Sequence, residues 1–262
     1  MSGGLRIEEL TLELGGRRLL DGVSIDAPAG QVTGLAGESG SGKTLTGMTV
    51  LGLPPQGSRL GGSIRYGDVE LVGLPERRHN RLRGKELTMV FQDPTASLHP
   101  MLSIGAQLTD HVRHHLGASR SAARERALEV LDLVQVPQPG EALRKYPHEF
   151  SGGQLQRIAI AIAIACRPKV LVADEPTTAL DVTVQAGIMR LLRDLCRDLD
   201  LAVLLVTHDL AVMSAMADTI AVMRYGKVVE HGPRYDVIRA PAHEYTQALV
   251  AALPTHMNKR PT

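Results

Sequence analysis

The chain has 262 residues, 44% of them hydrophobic and 22% charged, with a formal net charge of +1. That length and balance suit a globular protein with a buried core, and a charge so near zero gives no bulk electrostatic case for nucleic acid. Met1 to Gly4 lacks the charged start and apolar run of a signal peptide. No stretch approaches the roughly 20 apolar residues that a membrane span requires, so any crossing of a bilayer falls to other chains. The two cysteines, Cys166 and Cys196, stand too far apart for a zinc or redox spacing. Each reads as a buried thiol in a helix, consistent with a reducing compartment.

In chain order, Leu5 to Leu14 reads as strand, Gly15-Gly16 as a turn, and Val23 to Asp26 as strand resumed. Val32 to Ala36 is a short apolar strand that runs directly into a glycine-rich loop, with a helix beginning near Lys43. The basic stretch Arg77 to Lys85 reads as a solvated loop. Ala106 to Val134 reads as helical, an inserted lobe whose end is marked by Pro137 and Pro139. Within it, His111 and His115 have the i, i+4 spacing of a chelating pair beside His114; a solvated helix face accounts for all three, and no metal role is assigned to them. Gln154 to Cys166 reads as a helix capped by Ser151 and buried nearly all round, since Ile158 to Ile164 alternates only between larger and smaller apolar residues. Val170 to Ala173 and Leu201 to Val206 read as buried parallel strands with chemistry at their C-terminal ends. Ile220 to Val229 is a strand–turn–strand about Tyr225-Gly226, and Tyr235 to Leu253 is a helical tail.

Two motifs carry chemistry on their own. Gly37-Glu38-Ser39-Gly40-Ser41-Gly42-Lys43-Thr44 fits G-x-x-x-x-G-K-[ST] in full. Its glycines let backbone wrap a phosphate, Lys43 neutralises β/γ oxygens and the Thr44 hydroxyl is placed to ligate Mg²⁺. Asp174 and Glu175 end the apolar strand Val170 to Ala173. Phosphoryl transfer to water needs a metal and a positioned base, and adjacent carboxylates divide those tasks, Asp174 to the metal and Glu175 to the water.

These motifs suit many nucleotide enzymes. Ser151-Gly152-Gly153-Gln154, followed by Leu155-Gln156-Arg157, resembles the signature sequence of ABC ATPases. The resemblance implies a head-to-tail dimer in which that capped, glycine-rich helix start contacts the γ-phosphate of a nucleotide on the partner. Gln92 matches the glutamine that reaches the metal and senses the transmembrane partner; Ala179-Leu180-Asp181 matches the loop that crosses the dimer interface. His208, in Thr207-His208-Asp209, matches the switch histidine at the γ-phosphate. The implied fold is α/β: a P-loop NTPase, ABC-type nucleotide-binding domain over 1–262. It carries an antiparallel β lobe, a helical lobe inserted at about 95–168 and a short helical tail from about 233. ATP and Mg²⁺ are the implied ligands.

Gln92 to Pro100, Tyr146 to Glu149 before the signature, Asp174 to Ala186 and His243 to Leu249 are similar to the peptide/nickel importer family. That implies an ATPase subunit at the cytoplasmic face of the cell membrane. It would serve two permease subunits, paired with a second ABC ATPase subunit (a different chain or a second copy of this one) and, indirectly, with an extracytoplasmic solute-binding protein, importing peptides, nickel or a metal–chelator complex. The early end of the chain and the lack of a cysteine cluster point to the shorter nickel- or opine-type members. The rival is a soluble ABC ATPase of repair or translation type; one P-loop and no heptad array argue against it. Leu14 aligns where many ABC ATPases carry the aromatic that stacks on adenine; the resemblance then implies weaker base binding, with Leu14 offering an apolar contact at most.

Overall fold

The computed structural model describes residues 4–178 and 180–253. Two sheets organise the chain. The first is antiparallel, with strands β1 (Leu5–Leu14), β2 (Arg17–Ala27), β4 (Arg59–Tyr66) and β5 (Val69–Glu70) in the order β2-β1-β4-β5. The second has the order β10-β9-β3-β8-β7-β6, built from β3 (Val32–Ala36), β6 (Leu87–Val90), β7 (Val170–Asp174), β8 (Ala202–Val206), β9 (Thr219–Arg224) and β10 (Lys227–Pro233). All neighbours in it are parallel except β9 and β10, which the short Tyr225-Gly226 turn joins as a hairpin.

The central strands are apolar throughout because both faces are covered. Successive residues divide between two cores: Leu171, Ala173, Val203 and Leu205 face one cluster, and Val170, Val172, Leu204 and Val206 the other. The second cluster joins this sheet to the antiparallel one through Leu10, Leu12, Leu20 and Ile25. The first takes the helices, including α4 (Ile104–Leu116), α5 (Arg120–Leu133), α7 (Gly152–Ile164), α8 (Val182–Asp198) and α9 (Leu210–Met216). The remaining helices are α1 (Lys43–Val50), α2 (Glu76–Leu82), α3 (Pro94–Ser97), α6 (Pro139–Ala142), α10 (Arg234–Arg239) and α11 (Glu244–Ala251).

α7 is sheathed on nearly every side. Ile158, Ile160 and Ile164 have no exposed surface, each contributing about 1.5–3 kcal/mol of burial, and only Ile162 is left half-buried. Arg126 of α5 donates to the carbonyls of Ile164 and Ala165, capping the end of that helix. Ser119 and Ser103 accept the amides that open α5 and α4.

Three segments and two residues differ from the sequence expectation. Arg77 to Lys85 is largely helix, because Pro75 starts α2 and Arg83 closes on Glu76 and on the Leu51 and Gly52 carbonyls. The stretch from Ala106 to Val134 is two helices: Gly117, in the left-handed region at φ 65°, ends α4, and Ser119 caps α5. Tyr235 to Leu253 is likewise divided, with Pro241 between α10 and α11. His111 is not on a solvated face. Its Nε2 is buried, its ring meets His115 at 4.6 Å, and burial followed by the His115 charge lowers its pKa to about 4. Cys166 and Cys196 are buried, Cys196 in α8 and Cys166 just past the end of α7; burial pushes both thiols up to about 11.

Candidate active site

Strand order brings the chemistry together. β3, β8, β7 and β6 are consecutive neighbours, and each delivers a functional segment from its C-terminal end: the phosphate loop, His208, Asp174-Glu175 and Gln92 respectively. Open parallel sheets place their sites at this edge.

The phosphate loop is shaped by glycine. Gly37 has φ 147°, and a Cβ there would lie 2.2 Å from the Met223 carbonyl oxygen; Gly42, at φ 108°, opens α1 and admits Leu20 and Met223 close by. Lys43 is buried and donates to the Gly37 and Glu38 carbonyls at 2.7 and 2.8 Å, so its ammonium already lies inside the loop. Burial lowers its pKa, against the attraction of Glu175, Asp174 and Glu38. The Ser41 hydroxyl is buried without a hydrogen-bond partner among the described residues. Ser39, Gly40, Gly42, Lys43, Thr44, Gln92 and Glu175 line an open cleft of about 550 Å³.

Thr44 donates its hydroxyl to Asp174 Oδ1 at 3.0 Å. Burial raises the Asp174 pKa, with Glu175 adding to the rise. Glu175 follows in the left-handed region at φ 45°, fixed by its amide donating to the Val206 carbonyl. Three side chains converge on its carboxylate: His208 Nδ1 at 2.8 Å, the Thr178 hydroxyl at 3.0 Å and Gln92 Nε2 at 3.2 Å. Burial tends to raise its pKa, and the bonds from His208 and Thr178 outweigh that and hold it below the usual carboxylate range. Sequence reasoning did not single out Thr178; its position three residues after Glu175 is the signal that could have found it.

Ser151 and Gln154 form a reciprocal capping box at the start of α7, where the Ser151 amide donates to Gln154 Oε1. Gly152 and Gly153 occupy the first turn, and a Cβ on Gly153 would reach Val184 at 2.6 Å. Asp181 caps α8 by accepting from the Val184 amide at 3.0 Å. Neither segment lines the cleft around Lys43. Ala179 lies outside the described residues. Leu14 packs beside the core shared by the two sheets, and it is Leu19, from β2, that lines the cleft together with Leu45 and Met48.

Residues 20–178 match the family model described as ABC transporter. The chain belongs to the ABC transporter family. The chain is 46% identical over 226 residues to the oligopeptide transport ATP-binding protein OppD of Salmonella typhimurium, covering 86% of this chain and 68% of that protein. It is 44% identical over 235 residues to the dipeptide transport ATP-binding protein DppD of Bacillus subtilis, covering 89% of this chain and 70% of the relative. Among solved structures, it is similar to cbiO1 of Clostridium perfringens, part of an ABC transporter complex, with TM-score 0.78 and 26% identity over 90% of this chain and 91% of that one. It is also similar to the ATP-binding cassette MJ0796, seen as a dimer in a post-hydrolysis state with ADP and Pi, with TM-score 0.76 and 26% identity over 88% of this chain and 98% of that one. As an ABC ATPase, the chain binds ATP and hydrolyses it, and its fold is the mixed α/β fold of that family. Among the described residues no helix is long and apolar enough to cross a membrane.

Proposed function

We propose that this ABC ATPase powers import of di- or oligopeptides, working as one half of a nucleotide-sandwiched dimer on two permease subunits at the cytoplasmic face of the membrane. The observation that carries the reading is the identity of 43–48% to proteins named for peptide transport or import, extending over 86–90% of the chain. Those names favour a transport subunit over a free-standing soluble ATPase, and peptide over nickel or opine cargo.

The cradle of residues 37–44 holds the ATP phosphates, with Lys43 turning from its loop carbonyls to the β/γ oxygens. The Thr44 hydroxyl beside the buried Asp174 carboxylate is a hard-oxygen pair suited to Mg²⁺, and Gln92 stands on the same side. The ion would neutralise charge on the transferring phosphoryl group.

Glu175 then orients the attacking water. Orientation suffices because phosphoryl transfer depends mainly on positioning and electrostatics. His208 and Gln92, both bonded to Glu175, are the side chains that would turn to the γ-phosphate and to a bound Mg²⁺ respectively, which would free the carboxylate for water. Ser151 to Gln154 of the opposite subunit close the site, and Asp181 borders that interface.

Affinity capture of the chain from detergent-solubilised native membranes tests the reading. Co-recovery of two permeases and a second related ATPase is expected. Recovery alone, or with ribosomal or DNA-repair proteins, would overturn the transport role and leave the ATPase chemistry standing.

A further inference from the structure

The C-terminal segment touches the phosphate loop directly. The Glu38 amide, in the first turn of the loop, donates to the Tyr245 hydroxyl at 3.0 Å across 207 residues of sequence. Tyr245 lies in α11 and is only 6% exposed. Its ring is held under the Arg224 guanidinium, 4.7 Å from the centroid, and Arg224 also lies 5.0 Å from the Tyr225 ring. Arg224 ends β9, and the turn that follows is itself bound to the loop: the Gly226 amide donates to the Ser41 carbonyl at 2.9 Å. Behind α11, Glu230 of β10 accepts the Ala242 and His243 amides, and His243 Nδ1 accepts the Tyr245 amide at the helix start. An unbroken series of contacts thus runs from β10 through α11 to the backbone of Glu38.

We propose that Tyr245 is a positioning residue for ATP: its hydroxyl pins the first turn of the phosphate loop from the C-terminal helix, so that the seating of α11 sets how well the loop is organised for nucleotide. Glu38 is the turn whose carbonyl, with that of Gly37, holds Lys43. Fixing the Glu38 amide fixes the Gly37–Glu38 peptide plane, which carries the Gly37 carbonyl that accepts from Lys43, and hence where the ammonium waits. Without the hydroxyl the loop samples more conformations, and nucleotide binding must order it. The proposal rests on residues 37–44 being the nucleotide loop.

The test uses the full chain and the fluorescent nucleotide TNP-ATP. Relative to wild type, Tyr245→Phe keeps the ring under Arg224 and removes only the hydroxyl. It should weaken TNP-ATP binding about 3- to 10-fold, the equivalent of one hydrogen bond. Amide exchange across residues 37–44 should quicken while that of β7 and β8 stays unchanged, with KM for ATP rising and kcat held within about twofold. Tyr235→Phe, which removes a hydroxyl bonded to Arg234 instead, should bind as wild type does. Unchanged binding and loop exchange in Tyr245→Phe would overturn the proposal. So would weaker binding accompanied by a matching fall in thermal midpoint and faster exchange throughout the sheet, since the hydroxyl would then serve general stability. Wild-type protein that fails to bind TNP-ATP would bring down the reading of the loop, and the proposal with it.

Discussion

Asp174 and Glu175 are adjacent carboxylates pushed in opposite directions. Asp174 is buried beside a single hydroxyl and is held above the usual carboxylate range, whereas Glu175 is bonded by three side chains and is held below it. The ionised Asp174 is therefore unfavourable in the nucleotide-free fold, which loses stability as pH rises from the usual carboxylate range through the raised value. Asp174→Asn should melt higher than wild type at neutral pH without nucleotide and metal, because Lys43 still has Glu175 and Glu38 nearby. It should also lose about 100-fold or more of its ATPase rate. Thermal denaturation and phosphate release on the same samples check both halves; a lower melting point would mean that the Lys43 attraction dominates. Glu175→Gln should retain nucleotide and lose about 10²–10⁴-fold in turnover, read in a single-turnover assay. Gly37→Ala should destabilise by about 1–3 kcal/mol or more by denaturant unfolding, because both φ and the Met223 carbonyl forbid a side chain there.

At this scale the sequence was most legible where a motif dictates the atoms. The spacing of Lys43 and Thr44 and the strand leading to Asp174 were enough to anticipate their clustering. Leu19 and Tyr245 were not legible in the same way. Each reaches the site from a distant element, and only the pairing of β2 with β1 and the seating of α11 reveal the contact.

Elements were legible where periodicity and punctuation agreed. The strands β3, β7 and β8 are uninterrupted apolar runs, and α7 announces itself by its capping box. Helix breaks were harder, since Gly117 alone must outweigh the helical patterns on either side of it. α2 was missed because its polar surface offers little amphipathic pattern, and Arg83 closes it through contacts distant in sequence. α11 is held by its apolar contacts with the core and, at its start, by Glu230. Burial raises the proton affinity of that carboxylate, and the hydrogen bonds onto its oxygens outweigh the rise and depress it. The latch therefore contributes fully above the usual carboxylate range and is lost as pH falls through it. Glu230→Gln, which cannot offer two carboxylate oxygens to the Ala242 and His243 amides, should cost about 1 kcal/mol. Faster amide exchange over residues 244–251, with the β9–β10 hairpin unchanged, is the expected signature. Equal protection in both proteins would show that the helix is seated by its apolar contacts alone.

For the whole molecule, the candidate site residues fall into two groups: those gathered at the C-terminal edge of the parallel sheet and a capping segment that does not line the same cleft. Ser151 and Asp181 both cap helix starts, and neither lines the cleft at Lys43. That separation is what the proposed head-to-tail dimer would resolve, by bringing the capping segment of one subunit to the cleft of the other. Next to Gln92 in the chain, Phe91 is 40% exposed and borders a groove with Met89, Ser97, Ala159 and Ile162. Phe91 is joined covalently to Gln92, which touches Glu175, so under the proposed transport role a permease segment seated in this groove would act on the backbone of a candidate site residue. Phe91→Asp should leave thermal stability and TNP-ATP affinity near wild type, since the side chain is partly solvated already. It should sharply reduce recovery of the permeases in affinity capture and abolish any stimulation of ATPase rate by the assembled complex. Undiminished co-recovery would move the docking surface away from the groove, whereas a parallel loss of nucleotide affinity would show that Phe91 supports Gln92 from within the chain.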